Sequence, residues 1–348
     1  MVEGTAGRLK YAGKWGAVLL LAVAVLAGLV ALPNASPARA TAGSVKTART
    51  LASLPHLRGS FGPSPRAIFT PPSPYAQQIP ADAPRLSSSA AYLMDPTTGE
   101  VLYANNAATE VAMASTTKIM TAIVAITFGK VDQRITIGAD AVKEQNGVNS
   151  IADLQKGDVL TLHDLLYALL LPSGDDAAVA IADGVAGSQA NFVRMMNLEA
   201  ALLGLDHTHY TNAHGLDAPG HYTTAGDLAR LARVAMGFTL FASVVKTPTY
   251  VVTTALHGAY TWHTTNELLI THHLYQGAIG VKTGHTGNAG FCLVFAATRN
   301  GATLIGVLLG EQDQSGEQRF SDATALLNWG FEREQNVSQW MNAIAGKH

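Results

Sequence analysis

The sequence predicts a mixed α/β domain of the α+β kind, with a sheet built from both ends of the domain and a helical subdomain between them. Three observations carry this expectation. Ala91-Tyr92-Leu93-Met94-Asp95 and Val101-Leu102-Tyr103 flank the turn residues Pro96-Thr97-Thr98-Gly99, which reads as a hairpin. Helix-forming stretches then follow one another at Leu165–Leu171, Ala177–Val185, Asn191–Leu203 and Thr224–Met236. Strand-like runs return at Ala278–Val281, Phe291–Ala297 and Thr303–Leu309, before an amphipathic helix with Phe320, Ala323, Leu327 and Phe331 on one face. The run around Phe291 is apolar at every position, so it reads as a central strand buried on both faces.

Ahead of this domain lies a different kind of chain. Arg8, Lys10 and Lys14 precede the uncharged apolar run Trp15–Leu32, and Ala38-Arg39-Ala40 offers a small-residue cleavage pattern. Residues 1–14 therefore read as a basic cytoplasmic N-terminus, and 15–40 equally as a signal peptide or a retained membrane anchor. Export of the remainder follows from either, with membrane contact only through this segment. Ten of the 14 prolines fall between Pro33 and Pro84, so 41–86 reads as an extended linker. The folded domain is expected over 87–334, with a short tail at 335–348.

Composition narrows the function classes. Formal net charge is −2 and charged residues make up 14% of the chain, with no basic block suited to nucleic acid. The lone cysteine, Cys292, sits in the apolar strand run and reads as an inert core thiol.

Three short fragments carry the chemistry: Ser115-Thr116-Thr117-Lys118, Ser173-Gly174-Asp175 and Lys282-Thr283-Gly284. A serine hydroxyl attacks well only when a neighbouring base takes its proton. Ser115 and Lys118 are three residues apart, so on a helix they share a face. The stretch Ser115–Phe128 lacks Gly and Pro and is apolar nearly all round, the pattern of a buried helix. Burial lowers a lysine's proton affinity towards that of a neutral base. Taken alone, the pair reads as readily as a helix N-cap followed by a surface lysine. Lys282 and Thr283 end a strand-like run, where an ammonium and a hydroxyl suit a terminal carboxylate and Gly284 allows a close backbone approach. Taken alone, that run also reads as a polar turn.

In combination these elements resemble the S-x-x-K, S-x-N and K-T-G signatures of serine-type D-alanyl-D-alanine carboxypeptidases, the low-molecular-mass penicillin-binding proteins. The segments Thr211–Asp217, His221–Ala225, Asp227–Ala229 and His263–Asn266 are similar to that family as well. The resemblance implies a serine β-lactamase/transpeptidase-like fold with an antiparallel sheet. It implies Ser115 as nucleophile, Lys118 as its base and Ser173 as a proton relay. Lys282, Thr283, Gly284, His285 and Asp175 would bind substrate, with the backbone N–H groups of Ser115 and His285 as oxyanion donors. The implied partners are peptidoglycan stem peptides ending in D-Ala-D-Ala, and β-lactams as covalent inhibitors. No metal or other cofactor is implied.

Asp175 departs from the pattern, standing where the family has Asn. Ionised, it cannot donate a hydrogen bond, and its charge favours protonated Lys118. Turned toward Lys282 instead, or protonated, it would be harmless, so Asp175→Asn is expected to retain or raise activity. Asp175 and Asp176 also suit the cap of the following helix. The rival enzyme class, a class A-like β-lactamase, needs a glutamate in an E-x-x-L-N setting, and neither Glu199 nor Glu267 supplies one. A metallopeptidase would draw on His207, His209, His214 and His221, but H-E-x-x-H is missing. A non-enzymatic class also stays open: a tethered penicillin sensor or an inactive cell-wall-binding module.

Overall fold

The computed structural model describes residues 75–143, 150–270 and 272–345, with side chains to 335. The expected signal or anchor and residues 41–74 of the expected linker lie outside the described residues. Among those described, no single helix is long and apolar enough to cross a membrane.

A five-stranded antiparallel sheet forms the spine. β1 (Ala90–Met94) and β2 (Val101–Asn105) form the hairpin, with Gly99 at φ +80° closing its turn. β7 (Ala278–Thr286), β8 (Gly290–Arg299) and β9 (Ala302–Glu311) complete the sheet in the order β2-β1-β9-β8-β7. The two ends of the domain meet where β1 pairs with β9. The last strands therefore sit inside the sheet and β7 forms one edge.

Side chains along β8 alternate between two cores because strand residues point to opposite faces. Leu293, Phe295 and Ala297 face the C-terminal helix α8 (Gln318–Ala345), which buries Phe320, Ala323, Leu327 and Phe331. Cys292, Val294 and Ala296 face the helical subdomain. Each large apolar side chain so buried contributes about 1.5–3 kcal/mol. Gly306 makes room for this packing, since a Cβ there would meet the Phe295 ring at 2.1 Å.

The subdomain is built on α1 (Lys118–Phe128), whose residues 118–125 are all buried. Around it lie α3 (Leu162–Leu170), α4 (Asp175–Ala186), α5 (Gln189–Leu202) and α6 (Ala225–Met236), with the short α2 (Ala139–Lys143) and α7 (Thr239–Val245). Thr161, Ser188 and Thr224 cap α3, α5 and α6 by accepting from backbone N–H groups in the first turn. Two small ribbons are additions to the sequence reading. One pairs β3 (Arg134–Thr136) with β4 (Val159–Thr161), the other β5 (Thr249–Thr254) with β6 (Gly258–His263).

The domain also begins before Ser87. Gln78 exchanges two backbone hydrogen bonds with Ala104, at 2.8 and 2.7 Å, extending the sheet edge. The Tyr75 hydroxyl donates to Asp227 at 2.6 Å, and Trp329 Nε1 donates to Asp82 at 3.2 Å. Residues 75–86 are thus held by the domain rather than strung ahead of it, because their polar groups find partners there.

Candidate active site

The three fragments converge where the start of α1, the start of α4 and the edge strand β7 meet. Ser115 lies on a 3₁₀ turn, Ala114–Thr117, that leads into α1 rather than on the α-helix proper. The turn is held by its threonines. Thr116 Oγ1 donates to the Met113 carbonyl at 2.6 Å, and Thr117 Oγ1 to the Ala114 carbonyl at 2.8 Å. With its proton so used, Thr117 accepts from His221 Nε2 at 2.8 Å, while His221 Nδ1 accepts from the Thr211 N–H at 3.0 Å. Gly215 presses on the turn from the other side. It sits at φ +99°, and a Cβ there would fall 2.1 Å from the Ala114 carbonyl oxygen.

Lys118, the first residue of α1, is fully buried. Its Nζ lies 2.9 Å from Ser115 Oγ, 2.5 Å from Asp175 Oδ1 and 2.6 Å from the His214 carbonyl oxygen. The carbonyl and the carboxylate only accept, so they claim two N–H bonds of the amine. In a neutral amine the third tetrahedral direction, toward Ser115, then holds the lone pair. The geometry therefore suits proton removal from Ser115. Burial lowers the proton affinity of Lys118, against the opposing pull of Asp175 and Asp176.

Of the orientations open to Asp175, the structure shows the one turned to Lys118. Asp175 begins α4, with its N–H donating to the Ser150 carbonyl at 2.8 Å. Asp176 has a separate task. Its carboxylate accepts from the N–H groups of Ala152, Leu154 and Ala177, so it ties the preceding loop to the helix start. Neither is the N-cap residue; that position falls to Gly174, which has no side chain to cap with.

Ser173 lies on the loop before α4 at φ +69°, a conformation that non-glycine residues rarely adopt. Its Oγ is buried without a hydrogen-bond partner among the described residues. Unsatisfied buried groups and backbone strain of this kind concentrate at functional sites.

From β7 come the remaining residues. Lys282 is buried and donates to the Thr283 carbonyl at 2.9 Å. Burial, the charge of Lys118 and that of Arg319 push its proton affinity well down, against the pull of Asp175. Thr283 Oγ1 pairs with Thr265 Oγ1 at 2.6 Å. Gly284 brings the strand against the nucleophile turn, since a Cβ there would lie 3.0 Å from both Ala114 Cβ and the Ser115 nitrogen. His285 is exposed and stacks on Phe291 with ring centres 4.0 Å apart. Because β7 is an edge strand, its outer backbone is open to an extended peptide beside Ser115. Asp217 steadies the end of this strand, accepting from Thr286 Oγ1 at 2.8 Å and from the Asn288 N–H at 3.2 Å.

The sequence reading missed Arg319 and Thr265 as members of the site. Arg319 comes from α8, with its guanidinium 4.8 Å from the ring centres of both Phe291 and Phe320. It is remote from every motif, and only sheet and helix packing bring it near Lys282. The histidines 207, 209, 214 and 221 are engaged separately, and no group of three or more His, Cys, Asp or Glu is placed for a metal among the described residues.

Comparison with known proteins bears on the family and the fold. Residues 77–313 match the family described as D-alanyl-D-alanine carboxypeptidase. The chain is 38% identical over 308 residues to the D-alanyl-D-alanine carboxypeptidase of Streptomyces sp. strain K15, covering 84% of this chain and 98% of the relative. It is 35% identical over 297 residues to DacC of Escherichia coli K12, a D-alanyl-D-alanine carboxypeptidase, covering 81% and 70%. The crystal structure of the Streptomyces K15 DD-transpeptidase superposes with a TM-score of 0.67 at 40% identity, covering 72% of this chain and 99% of that one. A mixed fold on a five-stranded antiparallel sheet, a serine–lysine pair beside an edge strand, and this match across most of the domain lead to one conclusion: the chain belongs to the D-alanyl-D-alanine carboxypeptidase family of penicillin-binding proteins.

Proposed function

We propose that the protein is a serine-type carboxypeptidase that removes the terminal D-alanine from peptidoglycan stem peptides through an acyl-enzyme on Ser115. The observation that carries this reading is the 2.9 Å approach of Lys118 Nζ to Ser115 Oγ beside the Gly284 edge. Neutral Lys118 takes the Ser115 proton as Oγ bonds to the carbonyl carbon between the two D-alanines. The tetrahedral oxyanion is met by the N–H groups of Ser115 and His285, each worth about 3 kcal/mol. Ser173 passes the proton from Lys118 to the departing amine as the C–N bond breaks. Lys282 and Thr283 hold the leaving carboxylate, with Arg319 adding positive potential. Water then attacks the ester, releasing the shortened peptide and restoring the Ser115 hydroxyl. β-Lactams enter the first half of this sequence and acylate Ser115.

The domain acts outside the cytoplasmic membrane, a reading supported by the basic and apolar N-terminal pattern of Arg8–Leu32. A second outcome for the acyl-enzyme is transfer to an amine, favoured by the likeness to a solved protein titled a DD-transpeptidase.

Labelled penicillin and a D-Ala-D-Ala pentapeptide test the proposal together. Wild-type protein is expected to take up the label and release D-alanine, and Ser115→Ala to do neither. Labelling that survives Ser115→Ala sinks the nucleophile. A transfer product formed with an added amino acid acceptor decides between water and amine.

A further inference from the structure

An aspartate where an asparagine would make the same contacts changes charge rather than shape. Oδ1 of Asp175 accepts from Lys118 Nζ at 2.5 Å, and an amide oxygen in that place would accept equally well. The second carboxylate oxygen has no hydrogen-bond partner among the described residues. What the carboxylate adds is a full negative charge against a fully buried amine. We propose that Asp175 sets the pH range over which Ser115 is acylated, by favouring the ammonium form of Lys118 and so moving that range upward from where an amide in its place would put it.

This inference rests on the acyl-enzyme reading above. Nζ has three neighbours, two of which only accept hydrogen bonds. As an ammonium it donates to all three, and Ser115 Oγ accepts a hydrogen bond instead of giving up its proton. Acylation therefore needs the ammonium to lose one proton to solvent first; the amine then takes the Ser115 proton as the Oγ–C bond forms. A carboxylate in contact opposes that first loss, and an amide does not.

The other charged groups around Lys118 do not take over this part. Asp176, on the same turn of α4, spends its carboxylate on the N–H groups of Ala152, Leu154 and Ala177. From β7, Lys282 opposes a second ammonium nearby, and Arg319 of α8 adds to that field. His214 meets Lys118 through its carbonyl, while its ring Nδ1 accepts from the Leu216 N–H. Asp175 is thus the anionic side chain in contact with Nζ, and its removal leaves the base orientation in place through Asn or the His214 carbonyl.

The test is the second-order rate of Ser115 acylation by a fluorescent penicillin, followed from about pH 5 to 10 in the full chain. Wild type, Asp175→Asn and Asp175→Ser are compared, with Ser115→Ala as control. The rate is expected to rise with pH in each. The midpoint in both Asp175 variants is expected at least about one pH unit below wild type. A midpoint that stays put or moves upward overturns the proposal. So does a loss of a hundredfold or more at every pH, because the carboxylate would then be the final proton acceptor. Failure of both variants to fold, read from their melting curves, overturns it too, since the isosteric amide keeps every contact. Labelling of Ser115→Ala refutes the acyl-enzyme reading instead and is seen separately.

Discussion

Lys118 Nζ and Asp175 Oδ1 stand 2.5 Å apart with both side chains closed off from solvent. Such a pair is weak evidence of stability as a unit, because both charges lose their hydration. Breaking it from one side is another matter. Lys118→Ala is expected to abolish acylation and to lower stability by about 3 kcal/mol, since Asp175 is left buried without its partner. The double variant Lys118→Ala, Asp175→Ala is expected to recover part of that loss. Chemical denaturation of the three proteins checks both statements, and a double variant no better than the single one refutes the coupling.

Asp176 holds the loop before α4, whereas its neighbour Asp175 contacts Lys118. Asp176→Ala removes the acceptor of the N–H groups of Ala152, Leu154 and Ala177, at about 1 kcal/mol or more per lost bond. Its stability loss is expected to exceed that of Asp175→Asn by about 2 kcal/mol. Equal midpoints in urea would contradict this.

Gly284→Ala tests the closeness of strand and nucleophile. The added Cβ meets Ala114 Cβ and the Ser115 nitrogen at 3.0 Å, so either β7 or the turn must shift. The expected result is a fall in kcat/KM of roughly 10- to 100-fold, because small misplacements at reacting groups are costly. The melting temperature should move by only a few degrees, as for about 1 kcal/mol. Unchanged kinetics would show that the approach is not needed for catalysis.

Two buried histidines give the fold an acid-side weakness. Burial lowers His214 and His221 to about 4, helped at His214 by the charge of Lys118 and at His221 by that of His214. Their unfolded values lie near 6.5, so between about pH 6.5 and 4 the unfolded chain binds more protons than the native one. Stability contributed by these groups is therefore present above that window and falls as pH drops through it. Replacing His221 with Gln is expected to flatten the decline between pH 6.5 and 4, measured by urea midpoints at each pH.

Cys292 is the simplest case. Burial raises its thiol to about 11, so little thiolate forms near neutrality. A thiol reagent is expected to modify the native protein only at the rate of unfolding, and fast labelling without denaturant would contradict the packing.

Much of this molecule is legible in local pattern. The all-apolar run at Phe291 foretells a strand covered on both sides, and Phe320, Ala323, Leu327 and Phe331 foretell the helix that covers one of them. Ser115 with Lys118, and Lys282 with Thr283, stand out because each pair is close in sequence and chemically paired. The small ribbons at Arg134–Thr161 and Thr249–His263 were missed for the opposite reason. The first ribbon's strands are three residues long and the second's are largely exposed, so hydrophobic patterning hardly marks either.

By itself the sequence determined the order of the main-sheet strands and the larger helices, the pairing of Ser115 with Lys118 as candidates, and the family, because these depend on residue type and short spacing. Only the tertiary structure decided which way Asp175 turns, that Ser115 stands on a 3₁₀ turn, and that Arg319 joins Lys282 from the far end of the chain. Asp175 lies 57 residues from Lys118, and Arg319 is 37 residues beyond Lys282, separations that packing closes and local spacing does not. The same carboxylate that reads as a departure in the sequence stands, once folded, 2.5 Å from the buried amine of Lys118.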